Sequence, residues 1–291
     1  MRRTVTASTP PAPPDAPARL RKAKKAKAGE GHPGRPPWIL MVPALIALAF
    51  LVLPLGGLLF RAPWSTLGTR LGEPQVLEAL RLSLVSATLA TGLCLLFGVP
   101  LAWMLARVPF PGARLVRALV TVPLVLPPVV GGVALLLVLG RRGVVGQWLD
   151  SAFGITLPFT TAGVVLAETF VAMPFLVISV EGALRAADLR YEEAAATLGA
   201  TRWTVFRRVT LPLVAPGIAA GAVLCWARAL GEFGATITFA GNFPGRTQTM
   251  PLAVYLALET DPQAAIVLSL VLLVVSVLVL AALRDRWVNT A

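Results

Sequence analysis

The chain has 291 residues, 56% of them apolar and only 14% charged, with a mean hydropathy of +0.77, against about 25% charged in a typical soluble domain. So few charges cannot cover a water-facing surface, which excludes a soluble enzyme; Cys94 and Cys225 both lie inside apolar runs, which excludes a secreted disulfide framework. The formal charge of +12 is concentrated near the N-terminus, where all four lysines (Lys22, Lys24, Lys25, Lys27) fall, and the single histidine, His32, leaves no ligand set for a zinc or iron site.

Residues 1–37 hold eight prolines, nine Lys/Arg and two acids, Asp15 and Glu30. They cannot bury enough apolar surface to offset their ordering entropy, and a disordered tail is expected. A basic tail can bind nucleic acid, but beside an apolar run the simpler reading is a topology signal, and no nucleic-acid partner is expected. A cleaved signal peptide fits poorly, because the run that follows is too long and shows no small-residue cleavage site.

Crossing about 30 Å of hydrocarbon takes about 20 apolar residues as a helix. Six such stretches follow in order: 38–60, 82–106, 118–140, 159–180, 213–239 and 264–283. The fourth contains Glu168; the fifth is interrupted by Arg228 and Glu232, and a re-entrant segment is its alternative reading. Prolines 54, 100, 127, 128 and 174 fall inside spans, which neighbouring helices in a bundle tolerate. Domain organisation is thus a tail over 1–37 and a six-helix membrane domain over 38–287. An even span number puts both termini on one side. That side carries 19 Lys/Arg and the opposite loops six, so the tail, the loop after span four and the C-terminus are expected in the cytoplasm.

The loop between spans four and five, 188–212, is the most informative stretch. Asp188 suits an N-cap, the alanine run 194–196 favours helix, Gly199 suits a left-handed C-terminus, and Thr201 can cap a second short helix before Pro212 opens the next span. Two short helices meeting at a glycine are predicted, with Trp203, Val205 and Phe206 forming a partly apolar exposed face that implies a partner. Glu193-Ala194-Ala195, then Gly199, then Val209-Thr210-Leu211-Pro212 resembles the EAA loop of ATP-binding-cassette importer permeases, with Val209 where isoleucine is usual. The resemblance implies an all-α membrane protein with the fold of type I importer permeases. It further implies that Glu193, Ala194, Ala195, Gly199, Leu211 and Pro212 form a coupling element docking on a separate ATPase subunit.

Residues 231–255, beginning Gly-Glu-Phe-Gly and continuing Phe239-Ala-Gly-Asn-Phe-Pro-Gly-Arg-Thr-Gln-Thr-Met-Pro-Leu-Ala253, look like the fifth-span end and outer loop of oxyanion importers. They are most similar to molybdate permeases; sulfate permeases share Gly-Glu-Phe-Gly, and no composition or spacing argument separates two tetrahedral dianions. The likeness covers about residues 80–285.

Charge placement adds a physical expectation. A mid-membrane charge costs about 2.5–3.5 kcal/mol on insertion scales, so Glu168 and Arg228 should face the bundle interior. At 1.5 Å per residue Glu168 lies about 12 Å below the outer end of its span and Arg228 about 22 Å above the inner end of its own. Arg228 and Glu232 are four residues apart on one helix face. A Glu168–Arg228–Glu232 cluster is expected to hold spans four and five together. The rival reading has Arg228 lining the path and meeting the anion; two nearby carboxylates would neutralise it and repel a dianion, which favours the structural role. Gly131-Gly132 after Pro127-Pro128 permits close packing or a gating kink. Arg246 and the Pro-Gly turns of 241–251 are expected outside, either touching a delivery protein or simply solvated.

The reading is therefore a non-catalytic, multi-pass permease subunit of the bacterial inner membrane. The resemblance implies a homodimer, two ATPase subunits inside and a periplasmic or lipid-anchored oxyanion-binding protein outside, all within membrane lipid. No metal is expected and no cofactor in this chain: it contains no Gly-Lys-Ser/Thr, so ATP and Mg²⁺ would sit on the partner. Molybdate is the expected cargo, with sulfate or tungstate the alternatives. From another class, a gradient-driven secondary transporter is the alternative reading, with few intramembrane ion sites and no internal repeats to support it, and an intramembrane enzyme lacks a catalytic set.

Overall fold

A computed structural model describes residues 38–288. The segment 1–37, for which a disordered tail is expected, lies outside them. Among the described residues the regular structure is helical throughout, with no strand. The chain parts at Gly57–Leu58 into two packing units, each described by itself.

The first unit ends within α1, Trp38–Phe60, a 23-residue apolar helix with no buried side chain. Its apolar surface is the kind lipid covers, and its length matches the hydrocarbon thickness.

The bundle begins with a single turn, α2 (Leu67–Leu71), and the long α3 (Pro74–Arg107). At 34 residues α3 is about 51 Å long. Its buried face runs Ser83, Ser86, Ala87, Ala90, Thr91, Cys94, Gly98, Ala102 and Leu105, a stripe that recurs every three or four residues, with Ser86-Ala87 and Ala90-Thr91 as adjacent pairs. Nearly all are small. Lipid supplies no hydrophobic drive between helices, so small residues at the seam let backbones approach closely. At Gly98 an added Cβ would lie 3.1 Å from Leu176 Cδ2 and 3.3 Å from Val177 Cγ2.

Leu176 and Val177 belong to α7 (Thr161–Ala186), the most buried of the long helices. The hydroxyl of Thr160 caps α7 by accepting the Gly163 N–H at 3.0 Å. On its other side α7 meets α10 (Leu211–Leu230), where an added Cβ on Gly221 would lie 2.9 Å from Ser179 Cβ. Helices α3, α7 and α10 share the main core, which includes both free cysteines, Cys94 and Cys225, as small buried apolar groups.

The stretch expected as one continuous third span is broken. It forms α4 (Ala113–Val125) and α5 (Pro128–Leu139), with a bend of 118° between them. The cause is the Pro127-Pro128 pair: a residue preceding proline is pushed out of the α region, and Leu126 (ψ 136°) and Pro127 (ψ 132°) are both extended. The pair counts as one span only if both halves are taken together; with it, six apolar spans are present among the described residues. Helix α6 (Val144–Phe153) follows.

The fifth span also breaks earlier than expected. α10 stops at Leu230, and after Gly231–Phe233 the chain restarts as α11, Gly234–Ala240. The two breaks pack together. An added Cβ on Gly132 of α5 would lie 2.7 Å from Thr238 Cβ and 2.8 Å from the Ala235 carbonyl, and one on Gly234 would lie 2.9 Å from Pro128 Cβ. Gly131-Gly132 therefore serves close packing of α5 on α11 and on Phe170. The last elements, α12 (Met250–Thr260) and α13 (Pro262–Val288), pack on one another and on the start of α3.

Candidate functional site

The loop between α7 and α10 folds into two short helices, α8 (Arg190–Thr197) and α9 (Arg202–Val205). The Asp188 carboxylate accepts the Arg190 N–H at 3.0 Å, and Glu192 and Glu193 occupy the first turn, where the helix dipole favours anions. The C-terminus of α8 is a Schellman motif. The Ala200 N–H reaches the Ala195 carbonyl at 3.1 Å and the Gly199 N–H reaches Ala196 at 3.0 Å, with Gly199 at φ +82°. Only glycine takes that left-handed conformation without a Cβ penalty. Thr201 then caps α9, accepting the Thr204 N–H at 3.3 Å.

From α9 the chain enters α10 through a π-helical turn, Phe206–Thr210. Pro212 lacks the N–H that would bond the Arg208 carbonyl, and its ring clashes with that carbonyl in an ordinary α-turn; a wider turn relieves the crowding. The Leu211 N–H instead reaches back to the Phe206 carbonyl.

The exposed tip of this loop differs from expectation. Trp203 is 68% exposed as expected, but Val205 and Phe206 are half-buried, and Phe206 packs edge-on against Trp103 of α3 with ring centroids 6.1 Å apart. The larger apolar contributors are Leu198 at 88% and Tyr191 at 61%, which the sequence reading missed. Leu198 lies where the chain leaves α8, just before Gly199. Glu193, Ala194 and Gly199 are exposed, Ala195 and Leu211 half-buried, and Pro212 exposed at the first turn of α10. On the bundle side, Arg107 at the end of α3 donates to Glu192 Oε1 from Nη2 at 2.9 Å and from Nε at 3.3 Å.

The expected intramembrane trio is divided. Arg228 pairs with Glu232 within its own chain segment, Nη2 to Oε2 at 2.6 Å. The other carboxylate oxygen of Glu232 accepts the Ala235 N–H at 2.8 Å and so caps α11. Glu168, 1% exposed, turns instead to α3, accepting from the Ser86 hydroxyl at 2.8 Å, while its second oxygen has no hydrogen-bond partner among the described residues. The link from α7 thus runs to α3 rather than through Arg228 to α10. The short serine reaches because the small-residue seam brings α3 against α7.

At the far end of the bundle, the segment after α11 is a folded turn rather than a free loop. Gly241 (φ +75°) and Gly245 (φ +71°) reverse the chain. Arg246 is exposed, but its carbonyl accepts the Thr161 hydroxyl at 2.9 Å. Thr247, Gln248 and Thr249 are buried, and the Met250 N–H donates to Ser83 Oγ at 2.7 Å. Burial of this Thr-Gln-Thr run had no sequence signal, since three polar residues in a Pro/Gly-rich stretch read as solvated.

Comparison with known proteins identifies what this architecture serves. Residues 98–290 match the family described as "Binding-protein-dependent transport system inner membrane component". The chain is 50% identical over 251 residues to the molybdenum transport system permease protein ModB of Mycobacterium tuberculosis, covering 86% of this chain and 94% of that one. It is 38% identical over 244 residues to the sulfate transport system permease protein CysT of Escherichia coli, covering 82% and 88%. Its fold matches a bacterial ABC transporter that imports the acidic polysaccharide alginate, with a TM-score of 0.66, 22% identity, and 92% and 99% of the two chains covered. With its broken spans, its small-residue helix seams and a helical loop between spans four and five, the chain belongs to the binding-protein-dependent transport system inner membrane components, the permease subunits of ATP-binding-cassette importers.

Proposed function

We propose that this chain is the permease of a molybdate importer and that α8, Gly199 and α9 are its docking element for the ATPase. The observation that carries the docking role is the exposed tip itself: a rigid, Schellman-terminated helix presenting Glu193, Leu198 and Trp203 outward, with Ala194 small enough for close approach. Leucine and tryptophan at such exposure call for a protein partner. On this reading Glu193, Ala194, Ala195, Gly199, Leu211 and Pro212 make up the coupling loop, which is cytoplasmic together with both termini, as the positive-inside bias supports.

Two copies of the chain would enclose the path at their interface, two ATPase subunits would carry ATP and Mg²⁺, and an oxyanion-binding protein would dock at the opposite face, where Arg246 is exposed. The Arg228–Glu232 pair is neutral overall and holds the α10–α11 break in shape rather than meeting the anion. Molybdate is favoured over sulfate because the chain is 50% identical to a permease named for molybdenum and 38% identical to one named for sulfate.

The test is ATP hydrolysis by the chain reconstituted with ATPase and binding protein, comparing molybdate, tungstate and sulfate. Stimulation by molybdate, lost in Gly199→Pro, is expected. Proline cannot adopt φ +82°, so the substitution unmakes the end of α8. Stimulation by sulfate alone overturns the cargo, and no association with an ATPase overturns the docking role.

A further inference from the structure

The coupling loop is joined covalently only to α7 and α10, yet its two halves are held from the side by a third helix. Trp103 and Arg107 lie four residues apart and so share one face of α3. Arg107 grips Glu192 on α8 through two donors, with the side chains of the pair only 11% and 18% exposed. Trp103 meets Phe206, the first residue of the π-helical turn, edge-on at 6.1 Å. Each gripped residue adjoins an exposed one. Glu192 precedes Glu193 in sequence, and Phe206 stacks on Trp203 at 5.7 Å and 26°.

We infer that α3 is a third transmission arm, and that Arg107 and Trp103 are positioning residues through which a load on the coupling loop moves α3 together with α7 and α10. A partner pressing on Trp203 pushes Phe206 against Trp103; one pulling on Glu193 turns α8 and draws Arg107 with Glu192. Because α3 is one helix of 34 residues, its displacement is felt at the opposite end. There Ser86 holds Glu168 at 2.8 Å and Ser83 holds the backbone of Met250 at 2.7 Å, beneath the 241–249 turn. At the coupling-loop end Arg117 ties α3 to α7, donating to Glu181 of α7 at 2.7 Å and to the Leu105 carbonyl of α3 at 2.6 Å. The partly buried Arg107–Glu192 pair is thus the direct hold of α3 on α8. Coupling through it rests on the importer reading above; the hold does not.

Two measurements on Arg107→Ala and on the charge swap Arg107→Glu with Glu192→Arg test this. In the chain alone in detergent micelles, hydrogen exchange of residues 190–197 should rise about tenfold in Arg107→Ala, since α8 loses its hold, and return to within about twofold of wild type in the swap. In proteoliposomes with ATPase and binding protein, molybdate carried per ATP hydrolysed should fall about fivefold or more in Arg107→Ala and recover in the swap. Unchanged exchange in Arg107→Ala, or a swap that fails to restore it, overturns the hold. Transport and hydrolysis falling in proportion overturns the transmission role. A wild-type complex without oxyanion-stimulated hydrolysis overturns the importer reading, while the exchange measurement still decides the hold.

Discussion

At the scale of single residues, the molecule is governed by close backbone approach and by the pairing of buried charge. Gly132 illustrates the first. Its missing Cβ would collide with Thr238 and with the Ala235 backbone at 2.7–3.1 Å, and backbone cannot step aside as a flexible side chain can. Gly132→Ala should therefore lower stability by about 1–3 kcal/mol, the usual cost of overpacking. Gly92, on the exposed side of α3 with nothing within 4 Å, is the control, and Gly92→Ala should be neutral or slightly stabilising. Thermal unfolding in detergent distinguishes them; equal midpoints would show that α5 and α11 do not need contact. Arg228 illustrates the second. Arg228→Leu strands the Glu232 carboxylate, which is 1% exposed, and breaking a buried pair costs about 3–5 kcal/mol. The lower end applies, since the Arg228 side chain is 26% exposed. Adding Glu232→Gln removes the stranded charge and keeps an oxygen for the Ala235 N–H, so the double variant should recover most of the loss. A double variant no better than the single would show that charge pairing is not what Arg228 supplies.

At the scale of elements, the breaks matter more than the helices. The apolar runs showed where the chain is long and apolar enough to cross a membrane, five spans among the described residues and six with the bent pair taken together, but not where the third and fifth runs break. The run over 118–140 did not reveal the size of its own bend, although Pro127-Pro128 carried it: proline pairs inside membrane helices are often absorbed as mild kinks, whereas here the chain turns by 118° and α5 packs closely on α11. The Arg228–Glu232 spacing was legible for the same local reason that i and i+4 face one another. The partner of Glu168 was not, since it depends on how closely a seam of small residues lets α3 approach. A further element-level contact, invisible in sequence, closes the end opposite the coupling loop. Asp261 bonds Arg70 of α2 at 2.6 Å and caps α13 by accepting the Gln263 and Ala264 N–H groups at 3.0 and 3.1 Å. The Arg70 hydrogen bond, helped by these amides, holds the Asp261 carboxyl below its ordinary range. A lowered folded value means that the contact is fully present above the ordinary aspartate value of about 3.9 and is lost as pH falls below it. Opening of residues 67–72, read as hydrogen exchange relative to the unstructured rate at the same pH, should therefore rise by about severalfold as the pH falls from 5 to 3. In Asp261→Asn, which keeps the cap but not the charge, it should already be raised at pH 5 and change little below. An identical pH response in both proteins would exclude Asp261 as its source.

At the scale of the whole molecule, two ends of the bundle face two aqueous sides with different chemistry. One end is pinned by polar contacts that turn inward, with Thr247, Gln248 and Thr249 buried; the other presents apolar side chains outward on a helix pair that nothing among the described residues covers. Leu198 separates folding from assembly at that second end. It is 88% exposed and follows α8, so it contributes almost nothing to the chain's own packing. Leu198→Glu should leave the thermal unfolding midpoint of the isolated chain unchanged, as surface substitutions generally stay within about 0.5 kcal/mol. If the tip is the ATPase contact, the same substitution places a charge where an apolar side chain was to be buried. Capture of the ATPase subunit should weaken by about 30-fold, equivalent to the 2 kcal/mol of an interface hot spot. The two readouts must diverge. A variant that unfolds early would mean that Leu198 is buried by its own chain in solution, and one that is stable and still captures the ATPase with wild-type affinity would move the contact elsewhere, to the Glu193 and Ala194 side of α8. Loss of capture with an unchanged midpoint is what a docking surface produces, because its apolar area is satisfied only in the complex.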